Sequence, residues 1–478
     1  MRAHNYNAAA AYLETVRTKK VRTWRALLLC YFAAHRFEDL IAAYEKMPAA
    51  SRGDNSCRYY FALASANLEQ PDPIVRVVEE VLDEPNSEAA SRFLSKVYPL
   101  AERLLPDRKA MIVGRIITHG EHLALDCFDD ILKCAHILRE KGRESEAARL
   151  EDALRQAADT EQRRTKLDIY EAQIHFWGRR YELQMASVNN ALARQGIDPL
   201  ALVDERLPLS CANLKSIAGS AVPVRGPLVS ILMPARNCAD TIGYALDSLR
   251  RQTYQDFEVI VVDDASSDMT VQIAAQFSAA DSRFRVIPLA QRSGTFVARN
   301  RALSAAVGEY VTNQDADDWA QPQKIEMAAT TLQKDHSIIA TWVEHVRCSD
   351  SRGFRMLNGY IRPDASSLMF RRRPVMEKIG WYDSVRAAGD GEFHLRMERS
   401  FGHGSIRQLN KLLSFVHWSE HTLSGGGPFQ IDGNMDIFSP VRNEYSRSFR
   451  TWHETSSNLY MPFPLKERLF PAPSSLLC

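Results

Sequence analysis

The chain has 478 residues, 45% apolar and 25% charged, with a formal net charge of +1. Such a balance belongs to a globular protein of roughly two to four domains. It excludes a disordered chain, a collagen-like repeat and a generally basic nucleic-acid binder. The most apolar run, Ala26 to Ala34, is far shorter than the roughly 20 residues that cross a bilayer. Lys19, Lys20, Arg22 and Arg25 precede it in the manner of a signal peptide. His35, Arg36 and Glu38 follow with no cleavage site, so it reads as a buried helix. Eight cysteines without a CxxC fit a reduced, cytoplasmic setting, with peripheral contact at the inner membrane face as the most that is expected.

Residues 1–217 read as helices. Trp24, Leu27, Leu28, Tyr31 and Phe32 recur at i, i+3, i+4, i+7 and i+8 and make one apolar face. Leu40 to Met47 reads as the returning helix. Further hairpins are expected at Tyr59 to Leu82, Ile131 to Leu154 and Ile169 to Leu192, with turns at Gln70 to Pro73, Lys141 to Arg143 and Trp177 to Arg179. They resemble degenerate tetratricopeptide-type hairpins, an arrangement that commonly offers a surface to a protein partner. His175 and Trp177 read as packing residues. Residues 218–227, with two prolines and two glycines, read as a linker.

Beyond the linker the period changes. Leu228 to Pro234, Phe257 to Val262 and Phe284 to Pro288 are strand-like runs. Helices separate them, one capped by Asp240 and ending at Leu249, the next capped by Ser267 or Asp268. That alternation predicts a parallel sheet with right-handed crossovers, whose ligands sit beyond the carboxyl ends of the strands. Pro234-Ala-Arg-Asn237, Asp263-Asp264 and Asp315-Ala-Asp-Asp318 each follow a strand and are expected on one edge. Asp315, Asp317 and Asp318 read either as a solvated acidic turn or as ligands of a hard divalent cation such as Mg²⁺ or Mn²⁺. Neither GxGxxG nor GxxxxGK[ST] occurs, which argues against dinucleotide and P-loop sites.

Val229-Ser-Ile-Leu-Met-Pro-Ala-Arg-Asn237, Ile260-Val-Val-Asp-Asp-Ala-Ser-Ser-Asp268, Ala298-Arg-Asn-Arg-Ala302, Gly308-Glu-Tyr-Val and Asp315-Ala-Asp-Asp-Trp319 together resemble the family-2 inverting glycosyltransferases, over about residues 226–425. The resemblance implies an α/β fold of GT-A type, a mostly parallel sheet flanked by helices, here preceded by an all-α helical-hairpin domain. It places the catalytic domain at 228–430, followed by a tail at 431–478. It implies a nucleoside-diphosphate sugar donor, with UDP expected, a Mn²⁺ or Mg²⁺ ion, and one displacement at the anomeric carbon by a hydroxyl of a glycan or lipid-linked acceptor, in surface polysaccharide synthesis. Three residues depart from the pattern, one of them Gly389, which precedes Asp390 where the family has glutamate. Arg236 stands where the family has an aromatic or small residue, and Ala265 where it has glycine.

Carried over residue by residue, the resemblance places Pro234, Ala235, Arg236 and Asn237 around the nucleobase. Asp264 accepts a base N–H, and Asp263 either shares that task or serves as a strand-end hydrogen-bond partner. Arg299 faces the diphosphate or ribose, or else bridges to one of the aspartates. Asp317 is the first expected metal ligand, Asp315 the second and His417 a third, while Asp318 holds ribose or reaches the ion through water. Asp390, in Gly389-Asp-Gly-Glu392, occupies the general-base position, with Glu392 as the second acid; both could instead merely favour a helix N-terminus. His417 and His421 fall in a polar loop whose Gly425-Gly-Gly427 would let it move. Val441 to Trp452 reads as an amphipathic helix with Arg442, Arg447 and Arg450, expected to pack on the catalytic domain rather than on a membrane. Two other functions compete: a helical scaffold whose transferase domain is inactive, and a sugar-nucleotidyltransferase, which would need a glycine-rich basic loop after Pro234.

Overall fold

The computed structural model describes residues 6–16, 18–217, 223–356, 359–432 and 437–477. The chain divides into two units. One comprises Met1–Tyr170, Met356–Gly359 and Gly427–Glu454, and the other Glu171–Arg355, Tyr360–Gly426 and Thr455–Cys478.

The first unit is helical, and its hairpins follow the apolar period. Val21–Ala33 buries Leu27, Leu28 and Tyr31, and Phe37–Glu45 returns Leu40 and Tyr44 to the same core. His35, at φ 56°, makes the left-handed turn between them, and Gly142, at φ 73°, does the same between Phe128–Glu140 and Glu144–Ala157. Asp54 caps Asn55–Asn67 by accepting from the backbone N–H of Ser56 and Cys57 at 3.1 Å each, worth about 1 kcal/mol. Pro71 opens Pro71–Asp83, where its missing N–H removes no helix bond. Glu151 is 2% exposed and bound by both Arg139 (Nε and Nη2, 2.7 Å each) and the Tyr170 hydroxyl at 2.8 Å.

Helix Pro440–Thr455 contributes its residues through Glu454 to this unit. Tyr445, Phe449 and Trp452 are buried, each contributing about 1.5–3 kcal/mol by leaving water. Asn443 donates to Asn67 at 3.2 Å and meets His35 at 3.2 Å. The expected docking of this segment on the catalytic domain is therefore corrected, and its apolar face is not free for a membrane surface. No helix among the described residues is long and apolar enough to cross a membrane.

The second unit is built on one ten-stranded sheet. Phe284–Pro288, Phe257–Asp263, Val229–Ala235 and Tyr310–Asn313 lie side by side in that order, all parallel. Helices Ile242–Arg250, Thr270–Ala280 and Thr295–Ala305 are the crossovers. The central Val229 strand has parallel neighbours on both sides and all seven residues buried, which is why its sequence is apolar at every position but Ser230. Beyond Tyr310–Asn313 the sheet turns mixed. Met369–Arg371 is antiparallel to both its neighbours, Ala340–Ser349 comes next, Ile406–His417 runs parallel to that, and Trp319–Ala320 closes the order.

Residues 171–217 belong with the sheet, not with the helices before them. Their side chains capture backbone N–H groups of the sheet unit: Gln173 accepts from Phe354 at 2.6 Å and Gln195 from Leu412 at 2.6 Å. In return Gln323 accepts from Asp198 at 2.7 Å. The unit boundary thus falls before Glu171, whereas the composition shift suggested 217. Of the expected linker, 218–222 lies outside the described residues, and Val224 already bonds Thr253 and Gln255 of the sheet unit.

Candidate active site

The carboxyl ends of the parallel strands gather the residues singled out above. Ala235 ends the Val229 strand. Arg236 follows and donates through Nη1 to the carbonyls of Asp264 (2.7 Å) and Ala265 (3.1 Å). Asn237 and Ala265 both adopt positive φ, 46° and 54°, so the position of Ala265 does require the backbone that glycine adopts most readily. Asn237 holds that turn by bonding Ser266 and Ser267, each at 2.9 Å. Asp268 accepts from Thr270 and from the Ala239 backbone, and so ties the first two strand-end loops together.

Asp263 and Asp264 are buried. Asp264 accepts the backbone N–H of Ser293 at 2.5 Å and of Gly294 at 2.8 Å, one on each oxygen. Asp263 uses Oδ2 for the Ser266 N–H at 3.0 Å, while its buried Oδ1 has no partner among the described residues. Arg299, on Thr295–Ala305, is 2% exposed and donates Nη2 to Asp315 at 2.5 Å. Burial works against its charge, but Asp315 and Asp390 nearby raise its pKa on balance. Of the two roles considered for Arg299, the bridge to an aspartate is the one formed.

The acid loop follows Tyr310–Asn313. Burial, reinforced by the charge of Asp315, pushes Asp317 up to about 7. Asp318, 5% exposed, is raised well above the ordinary carboxylate range by burial and by its two neighbours. The loop is held by Tyr244, which donates to the Asp317 carbonyl at 2.8 Å, and by Gln314, which donates to the Asp318 carbonyl at 3.1 Å. His417 ends Ile406–His417 and donates its backbone N–H, not its ring, to Asp318 Oδ1 at 2.9 Å. Burial lowers the pKa of its imidazole, and the carboxylate that acts on the ring is Asp350. The contact that His417 makes with the acid loop is thus a backbone one. His421 is exposed, and among the described residues it bonds only locally, its backbone N–H donating to the Ser419 hydroxyl. Gly425 and Gly426 serve close approach: a Cβ there would meet the Ser419 and Glu420 carbonyls at 1.9 and 2.3 Å.

Among the described residues no group of three or more His, Cys, Asp or Glu is arranged around one point. The donor set nevertheless fits a hard divalent cation. Asp315 and Asp317 offer oxygen only, both remain partly exposed, and the raised pKa of Asp317 marks a charge that a cation would relieve. Two carboxylates leave coordination positions for phosphate and water.

Asp390 lies in the first turn of Gly389–Phe401, partly exposed, with Oδ1 accepting the Gly391 N–H at 2.9 Å. A Cβ on Gly389 would stand 3.0 Å from the Phe296 ring, so a side chain there would press on that ring. Glu392 is a different case. It is fully buried, and both its oxygens bond Arg396, at 2.7 and 3.0 Å. Arg396 in turn donates to the carbonyls of Ile379 and Trp381. Glu392 cannot reach an acceptor hydroxyl, and its catalytic assignment is corrected to a structural ion pair.

Two features escaped the sequence reading. Behind the acid loop lies a buried polar group of Lys324, His345 and Asp364, with Lys324 bonded to Gln314 at 2.8 Å. At the end of Ala340–Ser349, Arg347 reaches the loop that follows His417 and donates Nη1 to Ser424 at 2.6 Å. A lone arginine in a strand carries no motif, so only the alternation of side chains across the sheet could have suggested it.

Residues 230–386 match the family described as Glycosyl transferase family 2, and the chain thus carries a glycosyltransferase domain of that family. The chondroitin synthase of Pasteurella multocida is 29% identical over 225 residues, 45% of this chain and 23% of that protein. The hyaluronan synthase of Pasteurella multocida is 28% identical over 225 residues, covering 45% of this chain and 22% of that protein. The chondroitin synthase of Escherichia coli is 29% identical over 223 residues, 44% and 32% respectively. The chain therefore spans a third or less of the length of these relatives. Among solved structures, S. aureus TarS in complex with UDP-GlcNAc aligns with 41% of this chain and 60% of its own, at 21% identity and a TM-score of 0.34.

Proposed function

We propose that the chain is a metal-dependent inverting glycosyltransferase that moves a sugar from a UDP-sugar to a hydroxyl of a glycan or lipid-linked acceptor in polysaccharide synthesis. The observation that carries the reading is the set of acids at the carboxyl ends of the parallel strands, the buried Asp263, Asp264 and Asp318 with the partly exposed Asp315 and Asp317, and Asp390 near enough for its charge to act on Arg299, the partner of Asp315. Asp264 accepts the nucleobase N–H, since each of its oxygens keeps a second lone pair beside the Ser293 and Gly294 bonds. Arg299 fixes Asp315, so the acid loop is already oriented before the donor arrives. Asp317 and Asp315 would hold a divalent cation, which would supply positive charge to the diphosphate as it leaves. Asp390 takes the proton of the acceptor hydroxyl as that oxygen attacks the anomeric carbon from the face opposite the diphosphate, which inverts the centre.

The test uses the full chain with Mn²⁺, a panel of UDP- and GDP-sugars, and release of the nucleoside diphosphate. Turnover of one UDP-sugar, lost in chelator, supports the reading. A chain that binds no UDP by calorimetry, with or without Mn²⁺, overturns it.

A further inference from the structure

The two arginines whose charges reach Asp390 are in opposite situations. Arg299 is buried and already paired with Asp315. Arg347 is partly exposed, and among the described residues its side chain bonds only the uncharged Ser424 hydroxyl. Among the described residues its Nε is buried without an acceptor, and no carboxylate forms an ion pair with it. In the sheet, Arg347 stands opposite Val416, the residue before His417, whose backbone N–H holds Asp318. Arg347 therefore sits beside the acid loop. Its charge acts on Asp317, and it feels Asp318 and Asp390 in turn. A guanidinium between a cation-binding loop and a general base, still lacking its own anion, is set to receive one from a ligand.

We propose that Arg347 binds a substrate oxyanion in this site, the Nε–Nη2 edge of its guanidinium donating as a fork to phosphate or carboxylate oxygens. The inference rests on the transferase reading and adds a residue that no motif assigns. The same chemistry is offered by the donor diphosphate and by an anionic acceptor, and the experiment separates them.

Arg347→Gln and Arg347→Lys are compared with the wild type by calorimetry, using UDP with Mn²⁺ and, separately, uridine. If the oxyanion is the donor's, Arg347→Gln weakens UDP about tenfold or more, uridine is unchanged, and Arg347→Lys recovers part of the loss. If it is the acceptor's, UDP affinity stays within about twofold. In that case saturation-transfer NMR of the UDP-loaded protein loses the glucuronate and glucose 6-phosphate signals in Arg347→Gln and keeps that of glucose. Unchanged binding of UDP and of both anionic probes overturns the proposal. Equal weakening of UDP and uridine also overturns it, because a merely structural arginine would affect both alike. A wild type that binds UDP, with variants that match it for UDP and for both anionic probes, sinks this inference alone; a wild type that binds no UDP sinks the transferase reading.

Discussion

In the helical unit the buried charges have counter-ions, whereas in the sheet unit the acid loop is left without enough of them. Glu151 is held by Arg139 and Tyr170, Lys133 meets Asp130 at 2.7 Å, and Arg58 meets Glu84 at 2.8 Å. Glu392 with Arg396 follows the same rule inside the sheet unit. Asp317 and Asp318 do not: among the described residues neither forms an ion pair, and burial raises both. Neutralised charges hold a fold together, while charges kept at a cost mark a place where something else completes the balance. The difference separates acids that look alike in the sequence.

Removing a paired acid should have the largest effect. Glu392→Gln leaves the fully buried Arg396 without its carboxylate, and urea unfolding should show a loss of about 3–5 kcal/mol; Glu151→Gln leaves the half-buried Arg139 without its own and should cost less. A loss below about 1 kcal/mol for Glu392→Gln would mean that its pairing with Arg396 contributes little to the fold. Asp390→Asn comes next. Transfer should fall about 10²-fold or more with UDP affinity unchanged, and a variant that loses nucleotide binding would make Asp390 structural instead.

The third effect has the opposite sign. Folded Asp317 keeps its proton up to about pH 7, while an unfolded aspartate releases it near 3.8. Between these values the folded state binds more protons, so metal-free stability falls as pH rises from about 4 to 7. Asp317→Asn should flatten that slope in thermal melts recorded in chelator, and should be the more stable protein at pH 8. Mn²⁺ should raise the melting temperature of the wild type, increasingly with pH, and leave Asp317→Asn nearly unmoved. A wild-type melting curve independent of pH across that window would remove the contrast between the two units. The smallest effect belongs to Arg447→Ala. Its contact with Glu38 in the helical unit, at 3.3 Å, is solvent-exposed, and the change should stay under about 1 kcal/mol.

The sequence by itself determined the helical first part, the parallel strands and the order of the acidic motifs. These depend on local periods, 3.6 residues in helices and a buried run of apolar residues in strands, and such patterns survive without tertiary contacts. Phe284–Pro288 was legible to the residue, and the Val229 and Phe257 strands to within one. What tertiary structure decided is which groups face which way. Asp390 and Glu392 are two residues apart on a helix, about 200° around its axis, so one stays partly exposed and the other turns into the core. No linear pattern tells those faces apart until the neighbouring Arg396 is placed. Chain distance hid the rest. Helix Pro440–Thr455 meets Asn67 and His35 across more than 370 residues, residues 171–217 join strands that follow much later, and Arg347 gains its place only when Ile406–His417 lies down beside it.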